Sequence, residues 1–238
     1  MTALAGGAGR VALQAPRRLV LRAVLFDLDG TLIDSAPDLG ATVNRMRALR
    51  GMNELDDSVL RPHASHGARG LVGAGFGVAP DHADFPSLRE EFLASYAKAL
   101  CERTVLFPGV DALLDALDAS SLAWGIVTNK ATALTLPLLE ALALRHRPRC
   151  IVCGDTTSRT KPHPEPLLAA AGLIGIAPSD CVYVGDAERD IEAGNAAGMA
   201  TLVARYGYIR DDETPESWPA LGVLDTALDL LDWLPEPT

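Results

Sequence analysis

Phe26-Asp27-Leu28-Asp29-Gly30-Thr31 places two carboxylates and a turn at the end of an apolar run, and this stretch decides the fold. Residues 21–26 are almost continuously apolar, which predicts a buried strand of a parallel sheet that is covered on both faces. Such sheets bind ligands at the carboxyl ends of their strands. Two acids at that place are costly without a positive partner, and a divalent cation suits their oxygen atoms.

Strand and helix patterns alternate along most of the chain, which predicts an α/β fold with a doubly wound parallel sheet, a Rossmann-like core. Further strands are predicted at residues 122–127, 150–153, 181–184 and 200–204, with an edge strand starting at Val223. Helices are predicted at residues 109–119, 131–144, 164–173, 187–197 and 226–233. The alternation assigns residues 21–35 and 104–238 to the core.

Residues 36–103 interrupt this alternation, because they contain no convincing strand. Helical patterns occur near residues 37–50 and 86–101, and the glycine-rich middle, residues 66–77, is predicted to be a flexible loop. We expect this insertion to form an α-helical cap domain over the carboxyl edge of the sheet. Residues 1–20 are expected to form a disordered extension.

Composition excludes several classes of protein. The chain has 238 residues, is 48% hydrophobic and carries a formal net charge of −10, which repels nucleic acid. No apolar run reaches the ~18 residues that a membrane span needs. Cys150 and Cys153 form a Cys-x-x-Cys pair within a predicted strand, which favours buried thiols in a reducing cytoplasm over a zinc or redox site. No feature of the sequence indicates the oligomeric state.

Four polar clusters lie at strand ends, and in a doubly wound fold these ends converge on one crevice. The clusters are Asp27-x-Asp29, Thr128-Asn129-Lys130, Lys161-Pro162 and Gly185-Asp186 with Asp190. Each has a structural alternative when taken singly. Thr128 could cap a helix, and Lys161 could be a surface charge. Asp190 could be an acid in the first turn of a helix, where the helix dipole stabilises it. The joint order of the four clusters makes a shared site the better interpretation.

The residue types suit phosphoryl transfer from a monoester, which needs strong charge stabilisation. Asp27 can attack phosphorus and form an aspartyl-phosphate. Asp29 can protonate the leaving alkoxide and then deprotonate the water that hydrolyses the intermediate. Lys161 supplies positive charge against the transition state, and Thr128 and Asn129 are candidates to hold phosphoryl oxygens through hydroxyl and N–H groups.

The carboxylates of the first and fourth clusters also predict a magnesium site. Asp27 and Asp186 can supply oxygen ligands, together with the main-chain carbonyl of Asp29. Asp190, four residues beyond Asp186, can hold a water molecule that is bound to the metal.

These clusters resemble the four motifs of the haloacid dehalogenase superfamily. Residues 27–31 resemble its first motif, residues 127–129 its second, Lys161-Pro162 its third and residues 185–190 its fourth. The likeness extends from about residue 21 to residue 204 and includes the position of the cap. The resemblance implies a magnesium cofactor. It also implies that Asp27 is the nucleophile and a ligand, Asp29 the acid/base and a carbonyl ligand, and Asp186 a ligand.

Dehalogenase members of this superfamily lack an acid two residues after the nucleophile, so Asp29 indicates phosphate chemistry. Residues 31–39 and 124–130 resemble the phosphoglycolate phosphatase group, whereas residues 65–69 and 205–209 look nearer to N-acetylmuramic acid 6-phosphate phosphatase. We expect hydrolysis of 2-phosphoglycolate, with N-acetylmuramic acid 6-phosphate as the alternative. A sugar-phosphate mutase of β-phosphoglucomutase type and a non-enzymatic phosphoaspartate switch are alternatives from other classes.

The cap is expected to choose the substrate, a small phosphorylated metabolite. Arg69 and His66 are the candidate contacts, because both lie in or near the predicted glycine-rich loop. Arg69 can grip a substrate carboxylate through two parallel hydrogen bonds. The alternative for His66 is a solvated loop residue.

Overall fold

The computed structural model of the protein describes residues 21–120 and 122–234. Its strands are β1 (Ala23–Phe26), β2 (Ile33–Asp34), β3 (Val105–Leu106), β4 (Ala123–Val127), β5 (Cys150–Val152), β6 (Cys181–Gly185), β7 (Ala200–Ala204) and β8 (Gly222–Leu224). Six of them form one sheet in the order β5-β4-β1-β6-β7-β8, and every neighbouring pair is parallel. The prediction of a parallel α/β core is confirmed. The predicted extension, residues 1–20, lies outside the described residues.

Within the described residues, eight α-helices accompany these strands. They are α1 (Ala36–Ala48), α2 (Asp57–Leu60), α3 (Gly67–Phe76), α4 (Phe85–Tyr96), α5 (Val110–Ala119), α6 (Thr132–Ala141), α7 (Glu165–Ile174) and α8 (Glu188–Ala196). Short 3₁₀ helices occur at Arg61–His66, Pro178–Asp180, Pro215–Ser217 and Ala227–Trp233. The predicted terminal helix at 226–233 is therefore a 3₁₀ helix. Its first turn is capped by Asp229, whose carboxylate accepts a hydrogen bond from the N–H of Thr226.

The central strand β1 has apolar side chains on both faces, which explains its continuous apolar pattern. Val24 and Phe26 pack in one hydrophobic cluster with α5 and α6, whereas Ala23 and Leu25 pack in a second cluster with α7 and α8. Helices thus cover the sheet on both sides, as expected for a parallel sheet.

The register of the sheet brings three loops together. Phe26 at the end of β1 lies beside Ile126 of β4 and Val184 of β6. The residues that follow these strands therefore emerge at one level of the carboxyl edge. This places the loops after β1, β4 and β6 side by side at the crevice where ligands of such sheets bind.

Helices α1 to α4 form the α-helical cap, inserted between β2 and β3. These two strands pair antiparallel, Ile33 with Leu106 and Asp34 with Val105, where the chain leaves and re-enters the core. The pair was not predicted, because two residues per strand are too few to show an alternating pattern. The exact boundaries of the cap at residues 36 and 103 stay a prediction.

The prediction of a flexible loop at residues 66–77 is wrong, because residues 67–76 form helix α3. Leu71, Val72 and Gly75 are buried at helical spacing. A Cβ atom on Gly75 would lie 2.5 Å from Cγ1 of Val43 in α1, so glycine allows the two helices to approach closely. Gly75, one of the glycines that suggested a loop, thus permits close packing of α3 against α1.

Two smaller expectations concern membranes and cysteines. In the described residues no helix combines the length and apolarity needed to cross a bilayer. Cys150 and Cys153 are both buried and free, and burial raises the pKa of the Cys150 thiol to about 11. Both residues thus fit the interpretation as buried thiols.

Candidate active site

Asp27 lies directly after β1, and its side chain is held by two donors. Lys161 Nζ lies 2.9 Å from Asp27 Oδ1, and the N–H of Leu28 donates to the same oxygen at 2.7 Å. Within the described residues Oδ2 has no hydrogen-bond partner, and it is not among the fully buried unpartnered atoms, so it reaches open space. Burial raises the pKa of Asp27, while Lys161 opposes this shift. Asp27 is thus oriented with one oxygen free to react.

Lys161 is the fixed positive charge of the site, because none of its side chain is exposed. Its Nζ lies 2.8 Å from Asp190 Oδ1, and it donates to the Val127 carbonyl at 3.0 Å and to the Tyr183 hydroxyl at 2.7 Å. A buried ammonium needs such a set of acceptors to offset its lost hydration. The prediction that Lys161 faces Asp27 agrees with this geometry.

The loop after β4 contributes Thr128 and Asn129. The Asn129 side-chain amide donates to the Lys161 carbonyl and accepts from the Lys161 N–H, each at 3.0 Å. Asn129 therefore fixes the main chain that carries the lysine. The hydroxyl of the buried Thr128 accepts from the N–H of Lys130 at 3.1 Å, so it also caps the turn that follows. Direct contacts of either residue with a phosphoryl group stay predictions.

Asp186, at the end of β6, has one bonded and one unbonded carboxylate oxygen. Oδ2 accepts from the N–H of Tyr208 at 3.0 Å, whereas Oδ1 is fully buried with no hydrogen-bond partner. Burial, followed by the charges of Asp190 and Asp27, raises the pKa of Asp186 to about 8. A buried acceptor without a donor costs free energy unless a ligand completes it.

Two glycines let the main chain close around Asp186. Gly30 has a φ of 89°, and a Cβ atom on it would lie 2.1 Å from Asp186 Oδ2. A Cβ atom on Gly207 would lie 2.2 Å from the Gly30 carbonyl oxygen. The loop after β1 thus approaches Asp186 to a distance that side chains at these positions would prevent.

Oxygen atoms of Asp27, Asp186 and Asp190 lie within 4.8 Å of one another, and all three residues are buried. Asp190 also accepts from the N–H of Ala187 at 3.1 Å, which ties it to the first turn of α8. The unpartnered Asp186 Oδ1 and the free oxygen of Asp27 are ligands of the kind that a hard divalent cation takes, whereas both oxygens of Asp190 already have partners. The structure brings the three predicted residues together, and Mg²⁺ binding stays a prediction.

Asp29 points to a different partner from Asp27. Its carboxylate receives two hydrogen bonds from Lys130 Nζ, at 2.9 and 3.1 Å, and one from the Ser35 hydroxyl. Lys130 Nζ also lies 4.8 Å from the ring centre of Tyr96, which belongs to the cap helix α4. Although burial lowers the pKa of Lys130, Asp29 and Tyr96 together outweigh it and the net shift is upward. The two acids of the first cluster are thus kept apart by separate lysines.

Sequence reasoning assigned no role to several residues that shape the site. These are Ser35, Lys130, Tyr183, Arg189 and Tyr208. Lys130 and Arg189 lie inside the second and fourth clusters, so a charge within a motif was the available signal. The other three gave no local signal, because their contacts come from distant parts of the chain.

The two cap candidates lie at the junction of the 3₁₀ helix Arg61–His66 and α3, and both are exposed. Burial, followed by the charge of Arg189, lowers the pKa of His66, which places it within reach of that guanidinium. A contact of Arg69 or His66 with substrate stays a prediction.

Residues 24–204 match the family of haloacid dehalogenase-like hydrolases. The chain belongs to this family. The resemblance inferred from the four clusters is confirmed, and it extends over nearly the range expected.

This chain is similar to two kinds of phosphatase over most of the length of each protein. N-acetylmuramic acid 6-phosphate phosphatase of Pseudomonas aeruginosa is 41% identical over 92% of this chain and 96% of its own. Phosphoglycolate phosphatase of Xanthomonas campestris is 47% identical over 84% of this chain and 90% of its own. A crystal structure of a predicted phosphoglycolate phosphatase from Haemophilus somnus superposes with a TM-score of 0.78 at 27% identity, covering 90% of this chain and 97% of that one. The capped fold is therefore shared with solved members of the family.

Proposed function

We propose that this chain is a magnesium-dependent phosphatase that hydrolyses a small phosphate monoester through an aspartyl-phosphate on Asp27. The observation that carries the proposal is the buried contact of Lys161 with Asp27 and Asp190, beside the unpartnered Asp186 Oδ1. This arrangement offers a nucleophile, a fixed cation and a metal ligand in one crevice. The names of the similar proteins support the same class of reaction.

In the first step, Asp27 Oδ2 attacks phosphorus while the bond between phosphorus and the ester oxygen breaks. Asp29 donates a proton to the departing alkoxide, which leaves as an alcohol. Asp29 carries this proton from solvent, and it therefore gives up a hydrogen bond that its carboxylate accepts from Lys130. Lys161 stabilises the negative charge that develops beside Asp27.

In the second step, the ionised Asp29 removes a proton from a water molecule, whose oxygen attacks phosphorus. The bond between phosphorus and Asp27 breaks, and inorganic phosphate leaves with the carboxylate restored. The contact between Asp29 and Lys130 suits this step, because it holds the ionised base.

Asp27 and Asp186, with the main-chain carbonyl of Asp29, would hold Mg²⁺. Asp190 would hold a water molecule bound to the metal. Magnesium supplies positive charge against the phosphoryl oxygens when it is bound.

Two substrates are candidates, since the similar proteins carry two names. We favour 2-phosphoglycolate, because the relatives with that name include one with 47% identity. N-acetylmuramic acid 6-phosphate is the second candidate, because a relative so named aligns with 92% of this chain. A small phosphorylated metabolite as the partner and a cytoplasmic location complete the proposal.

The proposal is tested by measuring phosphate release with and without Mg²⁺ over a panel of phosphorylated metabolites that includes both candidates. We expect activity that chelation abolishes, and Asp27→Asn should be inactive although it folds, as cooperative thermal unfolding would show. Substantial turnover by Asp27→Asn would exclude the covalent route. Formation of a sugar bisphosphate would favour a mutase, and a stable phosphoprotein without turnover would favour a switch.

A further inference from the structure

Arg189 lies between the acids of the crevice and the cap. It is the second residue of α8, one position before Asp190. Its Nη2 donates to the carbonyl oxygen of Ser65 at 2.8 Å and to the Ser65 hydroxyl at 3.1 Å. Ser65 belongs to the 3₁₀ helix Arg61–His66, which we call the cap turn. The guanidinium therefore reaches from the core to the cap.

Most donors of this guanidinium remain available. Among residues 21–120 and 122–234, only Ser65 accepts a hydrogen bond from Arg189, and no carboxylate oxygen lies within 4.0 Å of its nitrogens. The Arg189 nitrogens Nε and Nη1 donate to no partner among these residues and are not fully buried, so each keeps some exposure. A fork of N–H groups in this state matches the two oxygens of a carboxylate.

The surrounding charges show which part of a substrate would meet Arg189. Its charge lowers the pKa of both Asp27 and Asp186, against the larger effect of burial, so it is near these acids. It nevertheless stands back from them and is anchored on the cap turn. Where the reacting phosphorus lies against Asp27 Oδ2, a guanidinium that stands back from the acids can meet another part of the substrate.

We propose that Arg189 binds a carboxylate of the substrate, and that it selects phosphate monoesters carrying a carboxylate over those that lack one. This inference rests on the proposed function and assigns the selection to a core residue next to Asp190, not to Arg69 of the cap. The anchor on Ser65 limits the motion of the guanidinium, which reduces the entropy cost of binding. Contact with the cap turn also ties selection to the position of the cap.

The test uses two matched pairs of substrates that differ in the carboxylate. One pair is 2-phosphoglycolate and 2-hydroxyethyl phosphate, and the other is N-acetylmuramic acid 6-phosphate and N-acetylglucosamine 6-phosphate. The ratio of kcat/KM within each pair measures selection for the carboxylate. We expect the wild type to prefer the carboxylated member of at least one pair, and Arg189→Gln to lower that ratio by about 10- to 100-fold, mainly through KM.

Two further variants separate selection from stability. Arg189→Lys keeps the charge and loses the fork, so the ratio should fall by a smaller factor than in Arg189→Gln, and this variant serves if Arg189→Gln does not fold. Ser65→Ala removes one contact of the anchor and keeps the carbonyl, so its ratio should stay near that of the wild type. Thermal unfolding midpoints identify variants that are merely destabilised.

Three outcomes would be decisive. Equal losses for both members of a pair in the Arg189 variants would overturn the proposal and make Arg189 a phosphoryl or structural contact. A wild type without preference in either pair would overturn it as well. Failure of the wild type to release phosphate from all four compounds would instead refute the proposed function.

Discussion

The crevice and the cap turn differ in how their charges are held. In the crevice, Asp27, Asp190 and Lys161 are buried and bonded to one another, so their positions are set by the core. The cap turn meets the core through Arg61, which donates to Asp34 at 3.0 and 2.9 Å, and through Ser65, which accepts from Arg189. His66, at its end, is exposed.

This difference indicates a division of tasks between the two regions. Buried paired charges cannot adapt to different substrates, but they keep a reaction geometry fixed. Contacts at a surface between two regions can change with the cap. We therefore expect substitutions in the crevice to affect turnover and stability together, and substitutions in the cap to affect stability or substrate choice alone.

Replacement of Lys161 tests the crevice most severely. Lys161→Met would leave Asp27 and Asp190 buried without their cation, so we expect unfolding free energy to fall by about 3–5 kcal/mol and kcat by at least ~10²-fold. Urea unfolding and phosphate release measure the two effects. Lys98→Met, at an exposed lysine beyond α4, is the matched control and should change neither. A Lys161→Met protein as stable as the wild type would contradict the role given to this ion pair.

Asp29 provides a second test, in which the two steps respond differently. Asp29→Asn should lower kcat on alkyl phosphates by about 10²- to 10⁴-fold, because both proton transfers are lost. An aryl phosphate has a leaving group that needs no proton, so its first step should remain faster than its second. Rapid mixing should then show a burst of phenolate close to the enzyme concentration. Absence of the burst would show that Asp29 does not act chiefly as the base of the second step.

The crevice was largely predictable from sequence, and the cap was not. An apolar run followed by acids identifies the end of a buried strand, and parallel topology then brings such ends together, which is why Asp27 and Asp186 were expected in one crevice. Lys161 follows no strand directly and was included because of the order of the four clusters. Lys130 and Arg189 were not assigned roles, because each acts on a residue that only the folded chain brings close. Helix α3 was mistaken for a loop, because glycine weakens a helical pattern where it permits close packing.

Metal binding should couple the crevice to pH. Asp186 has a pKa raised to about 8 by burial and by Asp190 and Asp27, against about 3.9 in an unfolded chain. Between these values the metal-free folded state holds a proton that the unfolded state lacks, so its stability should fall as pH rises from about 4 to about 8.

Magnesium binding must displace this proton, so apparent affinity should rise about tenfold per pH unit below the pKa of Asp186. Calorimetric titration of Mg²⁺ at pH 6, 7 and 8, in buffers of different ionisation enthalpy, measures both affinity and proton release. Asp186→Asn should bind Mg²⁺ weakly and without this slope. Affinity that is independent of pH in the wild type would refute the coupling.

The smallest effects are expected in the cap, where two glycines of α3 form a matched pair. A methyl group on Gly75 would meet Cγ1 of the buried Val43 at 2.5 Å, whereas one on Gly73 would approach nothing nearer than the Val78 carbonyl at 3.9 Å. Both substitutions gain helix propensity of about 1 kcal/mol, but overpacking costs about 1–3 kcal/mol at Gly75 alone.

We therefore expect Gly75→Ala to lower the unfolding midpoint by a few degrees and Gly73→Ala to raise it slightly, as measured by calorimetry at one pH. Their kcat values on an aryl phosphate should stay close to that of the wild type, because the crevice is built by the core. A loss of kcat in Gly75→Ala comparable to that of the crevice variants would show that packing inside the cap controls the chemistry. The two regions would then not be separable in the way their charges indicate.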